Sequence, residues 1–151
     1  MMKPGIFFSA LLTIFSISLS VLSSESKPLK RRTVTLPGGE KIKALIADTE
    51  KTRETGLMGV DSLKPVEGML FLFNGNGFHS MWMKNMKIPL DIVWLSDRKE
   101  IIEILNDLPP CRIEPCSTYG PPVPSRYVLE IPAGTSRKYK LKTGRALRFS
   151  P

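Results

Sequence analysis

Apolar and polar positions alternate along Thr33-Val34-Thr35-Leu36 and again along Lys41-Ile42-Lys43-Ala44-Leu45-Ile46-Ala47. This period of two predicts two strands, with Pro37-Gly38-Gly39 as the turn between them. Asp48 then stands where a helix N-cap is expected, with residues 49–55 as the helix and Gly56 as its stop. Residues 69–73 are a continuous apolar run, short enough for a buried strand. Asn74-Gly75-Asn76-Gly77 predicts a turn, and residues 78–83 a hairpin partner that pairs back. Residues 88–95 and 100–105 read as further strands around the turn Ser96-Asp97-Arg98-Lys99. Pro89 can sit only at a strand's beginning or on an edge. A Pro-rich loop fills residues 106–125. A strand at 126–131, a short helix at 133–139 and a last strand at 144–149 complete the pattern. No β-α-β alternation and no parallel-sheet signal is present. The expected fold is α+β and mostly β: a curled or barrel-like antiparallel sheet of short strands with two short helices.

The first residues carry an address rather than structure. Lys3 precedes an uncharged run, residues 6–22, rich in Phe, Leu and Ile, and Val21 and Ser23 are small enough for signal peptidase. That pattern predicts a cleaved secretory signal peptide over residues 1–23, with Ser24 as the new N-terminus. The alternative is a retained anchor, which the run's length and its Ser and Thr content disfavour. Residues 24–32 form a flexible basic leader, and residues 33–151 a single globular domain. The protein is therefore expected outside the cytoplasm, periplasmic or extracellular.

Export changes the reading of the two cysteines. Cys111 and Cys116, set among Pro109, Pro110 and Pro115, invite a disulfide that closes a small loop. The alternative is a dithiol metal or redox site, for which the four-residue spacer and the absence of a second Cys pair are poor support.

The chain carries a formal net charge of +8. Its cations cluster in the leader (Lys27, Lys30, Arg31, Arg32) and near the C-terminal end (Arg137, Lys138, Lys140, Lys142, Arg145, Arg148). No nucleic-acid motif lies between them, so no nucleic-acid partner is expected. The basic residues read as a solvated face, or as a peripheral contact with an anionic surface such as lipid headgroups or polysaccharide. The chain is expected to be a monomer.

With His79 as the single histidine, three-His zinc centres cannot be built. No Gly-x-Ser-x-Gly elbow or phosphate loop is present, and no cofactor is expected. Asp91 interrupts the apolar run Leu90 to Trp94, and a buried carboxylate needs partners. It either ties down the 84–88 loop through backbone N–H groups or forms the wall of a pocket beside Trp82. Lys84 and Asn85, or Arg53 on the first helix, are its candidate partners; Asn85 also suits a left-handed turn. Glu130 shares one strand face with Val128, whereas Tyr127, Leu129 and Ile131 share the other. It is either a solvent-facing acid or, with Asp91, half of an acid/base pair of the glycosidase kind. Met58, Met69, Met81, Met83 and Met86 crowd the same third of the chain. They are gap-filling core residues, or else His79, Met81 and Met83, on one strand face, form a Cu(I) site.

Four motifs, in order, carry a resemblance. They are Gly56-Leu57-Met58, Gly68-Met69-Leu70-Phe71, Ser80-Met81-Trp82-Met83-Lys84-Asn85 leading to Pro89-Leu90-Asp91, and Tyr127-Val128-Leu129-Glu130. They resemble domain of unknown function family 192, an uncharacterised protein family, and the resemblance covers residues 41–149. The resemblance implies no established activity, but it places Lys84 and Asn85 on a shared surface with Trp82. Against the usual family pattern, Gly59-Val60 replaces a pair with a basic second residue, Arg145 replaces an Asp, and Met81 and Met86 replace a Phe and a Thr. The expected function is binding of a polar ligand, such as a cell-envelope saccharide, in a cleft formed by Trp82, Lys84, Asn85 and Asp91 with Arg53 and Glu130. Binding is expected rather than catalysis. A hydrolase using Asp91 and Glu130, and a Cu(I)-binding protein, are the alternatives.

Overall fold

The computed structural model describes residues 28–150; the expected signal peptide lies outside them. The elements run β1 (Arg31–Thr35), β2 (Lys41–Ala47), α1 (Glu50–Thr55), β3 (Glu67–Gly77), β4 (Met81–Trp82), β5 (Leu90–Leu95), β6 (Ile101–Leu108), β7 (Thr118–Tyr119), β8 (Ser125–Pro132) and α2 (Thr135–Lys138). The fold is α+β and mostly β. One open six-stranded sheet has the order β1-β2-β3-β8-β5-β6, and β4 pairs with β7 in a separate two-stranded ribbon. Among the described residues no helix is long and apolar enough to cross a membrane.

The strand alternation sorts side chains onto two covered faces. On one, Ile42, Ala44, Ile46, Leu70, Val93, Leu129 and Ile131 pack beneath Leu141, Leu147 and Phe149. On the other, Met69, Phe71, Ile92, Trp94 and Val128 pack beneath Leu57, Met81, Met83 and Met86. Because both faces are covered, β5 and β8 are buried along nearly their whole length. That explains why their sequences read as apolar runs rather than clean alternation.

Several expectations are corrected. β1 starts at Arg31, inside the expected flexible leader, because its ladder with β2 continues to the pair Arg31–Leu45. Thr49, not Asp48, caps α1: Thr49 accepts from Thr52 N–H and the Thr52 hydroxyl reaches back to Thr49 N–H. Asp48 instead pairs with Lys30 at 3.3 Å. Gly56 does end the helix, with φ of 51°. The hairpin at 74–77 does not form, since β3 runs through it to Gly77 and pairs with β8, while β4 pairs with β7. β2 and β3 are parallel, which α1 and the loop after it make possible as the crossover.

The expected last strand is a strap. Thr35 bridges Arg148 and Glu100 bridges Ala146. Thr35 and Arg148 exchange both backbone hydrogen bonds, and Ile101 and Leu147 donate to Arg145 and Lys99. The segment thus touches the edge strand β1 and the entrance to the other edge strand, β6. The sheet is curled enough for one short segment to span both edges.

Candidate functional site

The face beneath α1 and β4 contains a crevice. Its floor is Glu130, on the central strand β8 between β3 and β5. Register fixes the direction of this side chain: Glu130 lies opposite Met69 on β3 and Ile92 on β5, both members of the core beneath α1 and β4. Gly68 permits the close approach of β3 here, because a Cβ would collide with the Glu130 carbonyl oxygen.

Glu130 is only 3% exposed, and its Oε2 has no hydrogen-bond partner. Burial pushes its carboxyl up to about 8. Water solvates an ionised carboxylate far better than these walls of Phe71, Leu57, Met81 and Met86 can. Near neutral pH the group therefore carries a proton and can donate as well as accept a hydrogen bond.

The cavity above Glu130 holds about 20 Å³, room for a single water. It continues into an open hollow of about 410 Å³, with which it shares Arg53, Glu54, Phe71, Met81 and Trp82. Arg53, in the last turn of α1, is held by a 2.9 Å bond from Nη1 to the Leu72 carbonyl and lies 5.3 Å from the Phe73 ring centre. Trp82 is 39% exposed, unusual for so large an apolar group. Lys84 Nζ stands 5.7 Å from the Trp82 ring centre and 2.8 Å from Glu114 Oε1.

Glu114 belongs to the cysteine loop, which the Cys111–Cys116 disulfide closes. The loop is pinned at Cys111 N–H, which donates to the Met83 carbonyl at 2.9 Å. Lys84, and then the Cys116 N–H, hold the Glu114 carboxyl below its ordinary value. A covalent loop closure thus fixes a carboxyl that fixes the lysine beside the exposed tryptophan.

Of the residues expected at the site, Trp82, Lys84, Arg53 and Glu130 line one crevice. Asn85 is exposed and does not line it: at φ of 56° its carbonyl accepts from Gly59 N–H, and Nδ2 faces Met58 Sδ at 3.9 Å. Asp91 lies elsewhere. It pairs in register with Ile131, one position from Glu130, and so faces the other side of the sheet. There it is fully buried and accepts backbone N–H bonds from Asp107 (2.9 Å), Gly134 (3.1 Å) and Ser136 (2.8 Å). It does not tie down the 84–88 loop and does not border Trp82. The Asp91–Glu130 acid/base pair is not assembled, because adjacent register positions point to opposite faces.

The grouping of His79, Met81 and Met83 is likewise not assembled. The His79 ring stacks on Phe73 at 3.6 Å, with Nε2 3.0 Å from the Gly75 carbonyl. Met81 lines the crevice, and Met83 lines a separate hollow under the cysteine loop. Sequence reasoning missed Glu54, which lines the crevice from α1, and gave Met58 and Met86 no place there. The motif Gly56-Leu57-Met58 carried the signal for Met58.

Two solved structures are similar over most of the chain. One, from Sinorhizobium meliloti 1021, is named "putative transcription regulator"; it is 28% identical with a TM-score of 0.75, over 82% of this chain and 97% of its own. The other, a protein of unknown function from Novosphingobium aromaticivorans DSM 12444, is 28% identical with a TM-score of 0.71, over 80% of this chain and 84% of its own. No curated protein sequence matches. Residues 33–149 match DUF192, described as an uncharacterized ACR, and the chain belongs to that family.

Proposed function

We propose that this is a small exported domain that binds a polar ligand, a cell-envelope saccharide being the simplest class, in the crevice above Glu130. One observation carries the reading: a buried carboxyl with an unpartnered oxygen lies at the floor of an opening rimmed by an exposed tryptophan. Folding leaves such a group unsatisfied at a cost of about 1–3 kcal/mol, which a ligand hydroxyl or a water held there would relieve. Trp82 offers a flat apolar face for a sugar ring, and Arg53 and Lys84 offer donors for its hydroxyls. The apolar N-terminal run supports export, and the Cys111–Cys116 disulfide is consistent with an oxidising compartment.

The test is a glycan-binding screen of the parent, Trp82→Ala and Glu130→Gln. Loss of a sugar-stacking face is expected to weaken binding about tenfold or more, with thermal stability little changed for exposed Trp82. If no glycan binds, or both variants bind as the parent does, the proposal is wrong.

A hydrolase reading keeps one specific support, with a different partner from Asp91. Glu54 is exposed and lines the same crevice as buried Glu130. Two carboxyls in unlike environments are the arrangement that divides acid and base roles in glycoside hydrolysis. Release of new reducing ends from a bound glycan, abolished by either Glu54→Gln or Glu130→Gln, would establish it; binding without release leaves the protein a binder.

A further inference from the structure

The opposite face of the sheet carries a second concavity. Lys138, Lys140, Lys142 and Arg145, with Tyr139, face the β1–β2 turn at Pro37, Gly38 and Glu40 around a hollow of about 470 Å³. Its backbone is well held. Leu141, between the lysines, is buried in the core, and its N–H donates to the Ser136 carbonyl at 2.9 Å. Lys140 N–H bonds the Arg137 carbonyl, and Gly144 N–H bonds the Ile101 carbonyl. A left-handed residue, Lys140 at φ of 51°, turns the chain so that successive cations line the same hollow.

These cations are unneutralised. Among the described residues, none of the four lies within 4.0 Å of a carboxylate oxygen, whereas neighbouring Arg137 is paired with Asp107. The one acid lining the hollow is Glu40. Four positive groups around one concavity repel one another and carry an excess of positive charge into any state without a counter-ion.

We propose that this hollow is a binding site for a multiply charged phosphoryl anion, held by Lys138, Lys140, Lys142 and Arg145. A single carboxylate would leave most of the excess charge in place, whereas a chain of phosphates or a multiply phosphorylated group matches it. Lysine ammonium groups act as mobile point charges around tetrahedral oxygens, and the arginine fork supplies two parallel donors. The volume exceeds that of one phosphate and leaves Tyr139 as a wall for whatever bears it. The bearer is either a soluble oligophosphate or phosphate headgroups presented by a membrane surface.

The experiment has two arms, each comparing the full chain with Lys142→Gln/Arg145→Gln. Lys64→Gln/Arg112→Gln removes the same charge away from the hollow and serves as control. In the first arm, calorimetry with inorganic tripolyphosphate is expected to show saturable binding, weakened about tenfold or more in the hollow variant and little in the control. Citrate, a multivalent anion without phosphorus, is expected to bind more weakly. In the second arm, sedimentation with phosphatidylglycerol vesicles is read as the difference between variants. A difference confined to this arm assigns the anion to headgroups, and one confined to the first assigns it to a soluble oligophosphate. If neither arm separates the hollow variant from the control, or citrate binds as tightly as tripolyphosphate, the proposal is overturned. Circular dichroism of each variant shows that both exposed-residue pairs leave the fold intact.

Discussion

Asp91 and Glu130 stand one register position apart on paired strands and face opposite sides of the sheet. The first is saturated with backbone donors; the second has a bare oxygen. Two buried acids of one sheet therefore have unlike tasks. Asp91 caps α2 from a distance, supplying the acceptor that the helix's own N-cap, Gly134, cannot.

Asp91→Asn keeps the shape but turns an amide against N–H donors. It is expected to lower unfolding free energy by about 3 kcal/mol or more, since three backbone N–H groups lose hydrogen bonds to a carboxylate and one then faces an amide NH2. Urea denaturation measures this. Ligand binding per folded molecule at the Glu130 crevice is expected to be unchanged. Full stability with lost binding would return Asp91 to the site.

Glu130 makes stability depend on pH. The unfolded chain releases this proton near 4.5, the folded protein near 8. Below the lower value both states are protonated and the group adds no pH dependence. Between the two values the folded state holds a proton that the unfolded state has lost, so stability falls as pH rises, levelling above about 8. Glu130→Gln is expected to remove that slope, matching the parent at about pH 4.5 and exceeding it at about pH 9. Thermal melts across that range decide it; parallel curves would show that Glu130 titrates normally.

The cysteine loop separates stability from site geometry. Cys111→Ser/Cys116→Ser is expected to cost about 2 kcal/mol, since the closed loop is short, and also to weaken ligand binding by releasing Glu114 from Lys84. Glu114→Gln, at an exposed position, is expected to reproduce the binding loss alone. Affinity unchanged from the parent in both variants would show that the orientation of Lys84 is irrelevant to the ligand.

Strand existence was legible where one period dominated, as in β2, with Ile42, Ala44 and Ile46 inward and the lysines outward. In β8 the pairing of Glu130 with the face of Val128 was legible but its burial was not, because both faces of that strand are covered. Partner strands were not. Asn74-Gly75-Asn76-Gly77 has hairpin chemistry, yet β3 continues through it because β8 offers a longer ladder partner than residues 78–83 do. Asp91 showed that a buried carboxyl needed donors, but the donors come from residues 107, 134 and 136, too far along the chain for spacing to suggest. The crevice was not legible for the same reason: α1, β4 and β8 are distant in the chain and meet only in the folded protein.

The strap formed by residues 144–149 bears on biosynthesis. It follows all six strands of the main sheet in the chain, and it bonds the end of β1 at Thr35 and the entrance to β6 at residues 99–101. A nascent chain that has completed β8 but not yet released these residues leaves the backbone groups of Thr35, Lys99 and Ile101 without these partners at the two sheet edges, sites for pairing with other chains. Removing residues 144–151 is expected to fix the protein in that condition, and light scattering on dilution from urea measures the resulting self-association. The fold is thus expected to be completed by a segment made after the whole sheet, so holding the chain on the ribosome just short of it would prolong the aggregation-prone interval.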